Sequence, residues 1–327
     1  MSTITAFVLP SIIASSLTLS YPVPFGQPIN PGELIEPERD VVELEQDRTK
    51  RMTVPVSIDG KGPFSFVIDT GAERTILSEA IAAHLGLEAD EQVDLVSIAG
   101  RSQVETVYVP EMTMGRKSYG GIVAPVLQAE HIGADGILGL DSLQNRRVLF
   151  DFVKKQLVVE EVGAPGAAKS YREIIVKGRR RSGQLIFTKA SIAGIPIDVV
   201  IDTGGQVTIG NFALQKKLRQ RARDTDDDSL LIAVTGDELD VEMGRVSDFR
   251  MAKARFSNML IAFADAPPFA SLNLDRKPAV LLGMDALSQF DKVAIDFEKR
   301  QVHLLIPKNA GRYKEATKAS RLQNPTR

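Results

Sequence analysis

Two aspartates in this chain are spaced and flanked as groups that could act together. Asp69 and Asp202 each open an Asp-Thr-Gly triplet, in Val67-Ile68-Asp69-Thr70-Gly71-Ala72 and Val200-Ile201-Asp202-Thr203-Gly204-Gly205. Thr-Ile follows both at matching positions, as Thr75-Ile76 and Thr208-Ile209. One such triplet could be turn chemistry, since Asp and Gly punctuate turns. Two, each ending a β-branched strand and dressed alike, point to a pair. A strand ending in Asp places its carboxylate at the mouth of a barrel. The threonines (Thr70, Thr203) can hydrogen-bond across to the partner loop, and the glycines (Gly71, Gly204) let backbone N–H groups reach the carboxylates. Held about 3 Å apart, two carboxylates cannot both ionise, so they share one proton. The ionised member can activate a water while the protonated one binds a carbonyl oxygen. That is general acid–base attack on an amide without a covalent intermediate, by a pair that titrates as one unit.

The elements that must position this pair are themselves repeated. Ile137-Leu138-Gly139-Leu140-Asp141-Ser142-Leu143 recurs 144 residues later as Leu281-Leu282-Gly283-Met284-Asp285-Ala286-Leu287. Asp151-Phe152-Val153-Lys154-Lys155-Gln156-Leu157 recurs after 145 residues as Asp296-Phe297-Glu298-Lys299-Arg300-Gln301-Val302. The triplets are 133 residues apart, so about a dozen residues are inserted in the second unit. Upstream, Val54–Gly60 lines up with Thr188–Gly194, and Val41–Leu44 with Glu173–Val176. This is one duplicated unit per lobe, not a short-period solenoid.

Length and composition agree with two lobes of a soluble protein: 327 residues, 43% hydrophobic, 25% charged. A net charge of −2 gives no reason to expect a nucleic acid or an anionic membrane as partner. With no cysteine there is no disulfide, thiol nucleophile or thiolate metal site. The three histidines, His84, His131 and His303, lack metal-ligand spacing and read as surface or satisfied core residues. A zinc hydrolase or a Ser-His-Asp enzyme is thus poorly supported, and no metal or cofactor is expected.

The first 32 residues carry no charged side chain, and Ala6–Ala14 has the length of a signal-peptide core, too short for a membrane span. We therefore expect a signal peptide over 1–20 and an exported, periplasmic or secreted protein, a cytoplasmic one being the alternative. A Pro/Gly-rich segment at 21–38 leads into a first lobe at 39–162, a linker at 163–170, a second lobe at 171–306 and a disordered basic tail at 307–327. Short apolar runs between turn residues (Met52–Ile58, Phe64–Ile68, Val93–Ile98, Val104–Val109, Gly121–Leu127, Val148–Phe152) predict an all-β barrel or sandwich. Ser78–Leu85 predicts a helix, N-capped by Ser78 and ended by Gly86, and Asp141–Asn145 a short helical turn. Arg179-Arg180-Arg181 reads as a hairpin tip and Asp224–Asp228 as an exposed acidic loop.

At the triplets and their companions the chain resembles the aspartic peptidases, in particular the retroviral type as found in bacteria. The first unit matches more fully, through Ile68–Ala72, Thr75–Ser78, Ala83–Leu87, Asp135–Asp141 and Val148–Phe152, and the resemblance covers about residues 50–305. It implies a bilobal pepsin/retropepsin-like double β-barrel with a cleft between homologous lobes and few short helices. It also implies that Ile137-Leu138-Gly139 and Leu281-Leu282-Gly283 pack across the triplet loops and fix their shape. Flaps closing over a protein or peptide substrate would come from Ile98-Ala99-Gly100-Arg101 and Val234-Thr235-Gly236-Asp237, neither of which carries the tyrosine of pepsin-type flaps. Both aspartates sit in one chain, so the protein should work as a monomer. Gly205 stands where Ala, Ser or Thr is usual, and is expected to loosen the second loop.

The leading reading is an aspartic endopeptidase; the alternative is a catalytically inactive peptide-binding or regulatory protein that keeps the cleft. A third is the same dyad working on a small ester or amide. Two unrelated turn aspartates would need four repeated motifs to arise by chance. Because Ala72 and Gly205 offer no side-chain donor to the carboxylates, the reading carries a pH optimum of roughly 5–7 with it.

Overall fold

A computed structural model of the chain describes residues 39–43, 45–46, 52–143, 146–160, 171–219 and 227–307, all within one compact unit, Pro37–Arg327. The expected signal peptide, Pro/Gly-rich segment and linker, and the tail beyond Pro307, lie outside these residues.

Among the described residues the architecture is all-β in three sheets, as the punctuated apolar runs require. The first lobe's sheet runs Glu45–Gln46, Met52–Ile58, Lys61–Ile68, Gly136–Leu138, Ile76–Ser78, Lys117–Leu127, Arg101–Met114, Ala89–Val96. Pairing of Val56 with Met114 joins Met52–Ile58 to Arg101–Met114 and closes these two and the four strands between them into a six-stranded barrel. In Met52–Ile58 the alternate residues Val54, Val56 and Ile58 are buried and Pro55 is exposed, the period-two pattern of a strand with one core face. The second lobe follows the same path through Asp227–Ile232, Glu238–Val246, Met259–Phe263, Ile209–Gly210, Ala279–Leu282, Ile195–Ile201 and Gln184–Ile192, then Phe249–Met251 and Ala254–Phe256. Its counterpart of Arg101–Met114 is broken into Glu238–Val246 and Phe249–Met251, which leaves this barrel open.

The strands that end in the aspartates pair in parallel with the apolar-apolar-Gly elements, Ile68 opposite Leu138 and Ile201 opposite Leu282. Parallel strands covered on both faces read as continuous apolar runs, and Phe66-Val67-Ile68 and Val199-Val200-Ile201 are all buried.

The third sheet joins the lobes. Its order is Arg39–Glu43, Gln156–Glu160, Arg147–Asp151, Lys292–Asp296, Gln301–Pro307, Tyr171–Lys177, with Leu149 opposite Ala294 in the central pairing. Each half supplies three strands, and the repeated Asp-Phe segments supply the turns beside its middle. Asp151 and Asp296 accept from the backbone N–H of Lys154 and Lys299 at 3.0 and 2.7 Å. Their repetition is therefore accounted for by turn structure.

The helix Glu79–Leu85 forms as expected: the Ser78 hydroxyl accepts from Ile81 N, and Gly86, at φ 70°, ends it in the left-handed conformation. The short helix after Gly139 runs Leu140–Leu143, and Gln144 and Asn145 lie outside the described residues. Three expectations change. The strand placed at Val93–Ile98 is Ala89–Val96, and Ile98 sits in the turn that follows, because Ser97 N–H bonds Gly100 O at 2.9 Å and ends the ladder. Arg179–Arg181 is an exposed strand paired with Gln184–Ile186, the turn falling on Ser182-Gly183; two of its guanidiniums donate to Phe297 O and Leu272 O. Asp227 and Asp228 begin a strand rather than sit in a loop, since Met243 and Glu242 pair with them.

Candidate active site

The two Asp-Thr-Gly loops meet. Thr70 N donates to Thr203 Oγ1 at 3.0 Å and Thr203 N to Thr70 Oγ1 at 3.2 Å. Each hydroxyl in turn donates across the lobes to the carbonyl before the opposite aspartate, Thr70 Oγ1 to Ile201 O at 2.9 Å and Thr203 Oγ1 to Ile68 O at 2.8 Å. Both threonines are 3% exposed, so these groups have no water to fall back on and the reciprocal set is costly to break.

Each carboxylate is held by its own loop. Asp69 Oδ1 accepts from Gly71 N at 2.6 Å and Ala72 N at 3.1 Å; Asp202 Oδ1 accepts from Gly204 N at 3.1 Å and Gly205 N at 2.9 Å. Gly205 therefore donates to its carboxylate through the backbone as Ala72 does. The glycines are required by space. A Cβ on Gly204 would lie 2.3 Å from Asp69 Cγ, and one on Gly71 would lie 3.1 Å from both Asp202 Oδ1 and Asp69 Oδ1. The side chain of one lobe thus rests on the glycine of the other, and the two carboxyls are neighbours. The Asp202 carboxyl is pushed up to about 7, first by burial, then by the charge of Asp69 and a hydrogen bond with it, against lowering bonds from Gly205 and Gly204.

The apolar-apolar-Gly elements lie across these loops. Asp69 N donates to Leu138 O and Asp202 N to Leu282 O, both at 3.0 Å, while Leu140 N and Met284 N donate to Ala72 O and Gly205 O at 2.9 and 2.8 Å. Ile137, Leu138, Leu281 and Leu282 are buried. A Cβ on Gly139 would meet Arg74 C at 2.4 Å, and one on Gly283 would meet Val207 O at 2.7 Å, which is why both positions are glycine.

A layer behind this is carried by the same repeats, in residues the motif alone does not mark as part of the site. Thr75 Oγ1 donates to Asp141 Oδ1 at 2.7 Å and accepts from Gly139 N at 3.2 Å; Thr208 Oγ1 donates to Asp285 Oδ1 at 2.8 Å and accepts from Gly283 N at 3.2 Å. The Asp285 carboxyl is raised by burial, against bonds from Thr208 and Ala286. Gln184 has no counterpart in the motif reading. It is buried in the second lobe, and its Nε2 donates to Gly71 O in the first at 2.6 Å. Beside that contact a cavity of about 630 Å³, lined by Glu73, Arg74 and Asp141 of one lobe and Ser182-Gly183 of the other, includes neither Asp69 nor Asp202.

Ile98-Ala99-Gly100-Arg101 and Val234-Thr235-Gly236-Asp237 are both hairpin turns, closed by Ser97 N to Gly100 O and Ala233 N to Asp237 O, each 2.9 Å. They touch each other: Ser102 Oγ donates to Asp237 Oδ2 at 3.0 Å, and Thr235 Oγ1 lies 3.3 Å from Ser97 Oγ. The Asp237 carboxyl is held below its ordinary value by hydrogen bonds from Thr235 and Ser102, burial opposing, with a smaller pull from His131. His131 lies against Gly236, His84 meets Phe64 edge-on at 6.2 Å on the surface, and His303 is buried with Nδ1 2.6 Å from Glu173 Oε1. Among the described residues no three His, Cys, Asp or Glu side chains are grouped to hold a metal ion, and no helix is long and apolar enough to cross a membrane.

Comparison with known proteins gives the same pairing of lobes. The family model described as aspartyl protease matches the chain twice, over residues 54–142 and 188–286, one match per Asp-Thr-Gly loop. No curated protein matches the chain significantly.

Proposed function

The chain belongs to the aspartyl protease family, and from that premise we propose that it is a single-chain endopeptidase in which Asp69 and Asp202 together activate water. The observation that carries this reading is the pair of loops bonded to each other through Thr70 and Thr203, which set the Asp69 and Asp202 carboxyls side by side; burial and the charge of Asp69 raise the Asp202 carboxyl accordingly. At mildly acidic pH such a pair holds one proton. Its ionised member takes a proton from water as the oxygen attacks the scissile carbonyl carbon. Its protonated member hydrogen-bonds the carbonyl oxygen and neutralises the charge that develops there. Collapse of the tetrahedral diol returns a proton to the departing nitrogen, and the pair is restored. Gly71, Ala72, Gly204 and Gly205 contribute backbone N–H groups that hold one oxygen of each carboxylate and leave the other for chemistry.

The substrate in this reading is an extended stretch of polypeptide lying between the lobes. Both aspartates come from one chain, so activity per mole should hold on dilution where an obligate dimer's would fall. The charge-free first 32 residues support export, which mass-spectrometric identification of the mature N-terminus would test. The deciding experiment is incubation of purified protein with unfolded casein or a peptide library, with and without a pepstatin-type transition-state mimic. Cleavage blocked by the mimic is expected. Binding of the mimic without any cleavage would favour an inactive peptide-binding protein, and cleavage of small esters alone would move the dyad to another substrate class.

A further inference from the structure

The polar contact between the two hairpin turns lies outside the dyad chemistry, and each turn is seated on the opposite lobe. Ile98, from the first lobe, packs on the second lobe's apolar cluster of Ile186, Val200, Ile209 and Leu281. Val234, from the second, packs on the first lobe's cluster of Val67, Ile76, Ile132 and Ile137. Around these apolar anchors the turns are tied by side chains. Thr235 and Ser102 both donate to Asp237 Oδ2, at 2.7 and 3.0 Å, bringing a hydroxyl from each hairpin onto one carboxylate oxygen. Gly236, at φ 86°, rests on the His131 ring, which a Cβ there would meet at 2.3 Å. His131 sits in the last turn of the short helix Ala129–Ile132 of the first lobe and lies 3.6 Å from Glu130; the negative charges facing it are thus Glu130 on its own helix and Asp237 on the opposing turn.

We propose that Asp237, Ser102 and His131 are positioning residues that latch the two turns together, so that the roof over the cleft opens and closes as one unit. Neither turn can lift alone without exposing an apolar anchor and stripping Asp237 of a donor from the other lobe. The latch holds the closed roof down on a bound peptide, an effect on affinity rather than on the chemical step. This second part rests on the peptidase reading.

The chain has no cysteine, so one engineered pair gives a clean probe. Ser97→Cys with Thr235→Cys replaces two hydroxyls 3.3 Å apart. In the full chain the pair should oxidise readily without any ligand, and adding Asp237→Asn or His131→Ala should slow that oxidation by about fivefold, the worth of one screened, charge-assisted bond. Absence of the disulfide, or equal rates in all three proteins, would overturn the latch whether or not the protein cleaves peptides. In wild-type background, Asp237→Asn and His131→Ala should raise KM about fivefold and leave kcat within about twofold; a fall confined to kcat would overturn the role in holding peptide. A protein that forms the disulfide but never cleaves peptide would keep the latch and remove the peptidase reading. One that cleaves peptide but never cross-links would do the reverse.

Discussion

The two lobes hold their aspartates with the same backbone and different side chains. In the first, Ala72 follows the triplet, and the Ser142 hydroxyl lies 2.9 Å from Thr75 Oγ1. In the second the same places are taken by Gly205 and Ala286, which have no such groups. The first barrel is closed and the second is open. Yet the bonds that reach the carboxylates match closely. Loop N–H groups donate to Asp69 at 2.6 and 3.1 Å and to Asp202 at 3.1 and 2.9 Å, and both aspartate N–H groups donate at 3.0 Å to the strand beside them. What duplicates faithfully is main-chain geometry and the space that glycine leaves; side chains one step further out have been free to diverge.

If the lobes are equal in chemistry, Asp69→Asn and Asp202→Asn should be equally inactive despite those differences. Each should lower kcat by about four orders of magnitude, and the double variant should be little worse, because the carboxyls act as a unit. Thermal unfolding should show both folded. Appreciable turnover by one variant alone would make the lobes unequal and break the dyad. The glycines should sharpen the comparison next. A methyl at 204 would lie 2.3 Å from Asp69 Cγ, whereas one at 71 would sit 3.1 Å from the nearest carboxylate oxygens. Gly204→Ala should therefore cost about a hundredfold or more in kcat/KM and Gly71→Ala about tenfold, the former having to displace a reacting group. The reverse order would show that the loops relax in ways this packing does not allow.

Much of this arrangement could be read from residue order. Asp69, Asp202 and their Thr-Gly partners, the Gly139 and Gly283 elements and the Ser78–Gly86 helix depend on local pattern, and the duplication supplied a second reading of each. The reciprocal bonds of Thr70 and Thr203 were also expected, since a buried hydroxyl beside a paired loop has to go somewhere. Gln184 was not legible: a lone glutamine in a strand carries no sign that it reaches Gly71 O in the other lobe. His131 read as an ordinary surface or core histidine, because its partner Gly236 is 105 residues away in sequence. The joining sheet was hidden for the same reason, since strand order across a duplication depends on long-range pairing. Exposed hairpin strands came out too short, as at Lys117–Leu127, whose first residues are too polar to register as an apolar run.

Proton affinity gives a further test of the pair. The Asp202 carboxyl is raised from 3.8 to about 7, so within that window the folded chain keeps a proton that the unfolded chain has released. Stability from this source is full below the lower value and is lost as pH rises through the upper one. Wild-type unfolding free energy should thus fall by a few kcal/mol between about pH 4 and 7, at about 1.4 kcal/mol per unit. Asp202→Asn should flatten that slope. Activity should fall over the same upper range, as the shared proton leaves. Chemical denaturation of both proteins across pH measures the first effect. An unchanged slope in Asp202→Asn would assign the proton to another group.

The smallest expected effect returns to the positions where the lobes differ. Ala72 N–H already donates to Asp69 Oδ1 at 3.1 Å, so a serine there can place its hydroxyl near the same carboxylate. A hydrogen bond to the ionised form lowers a carboxyl's proton affinity, and Ala72→Ser should move the pH profile of kcat/KM downward by about half a unit to one unit. The matching change in the second lobe should behave differently. A Cβ at Gly205 would already stand 2.9 Å from Asp202 Oδ2, so Gly205→Ser crowds that carboxylate, and should lower kcat about tenfold along with any shift. The measurement is kcat/KM against pH for wild type and the two variants. Equal, purely downward shifts in both would mean the second loop gives way easily and the crowding at Gly205 is unimportant. No shift in Ala72→Ser would mean that burial and the partner carboxylate alone set the dyad's proton affinity.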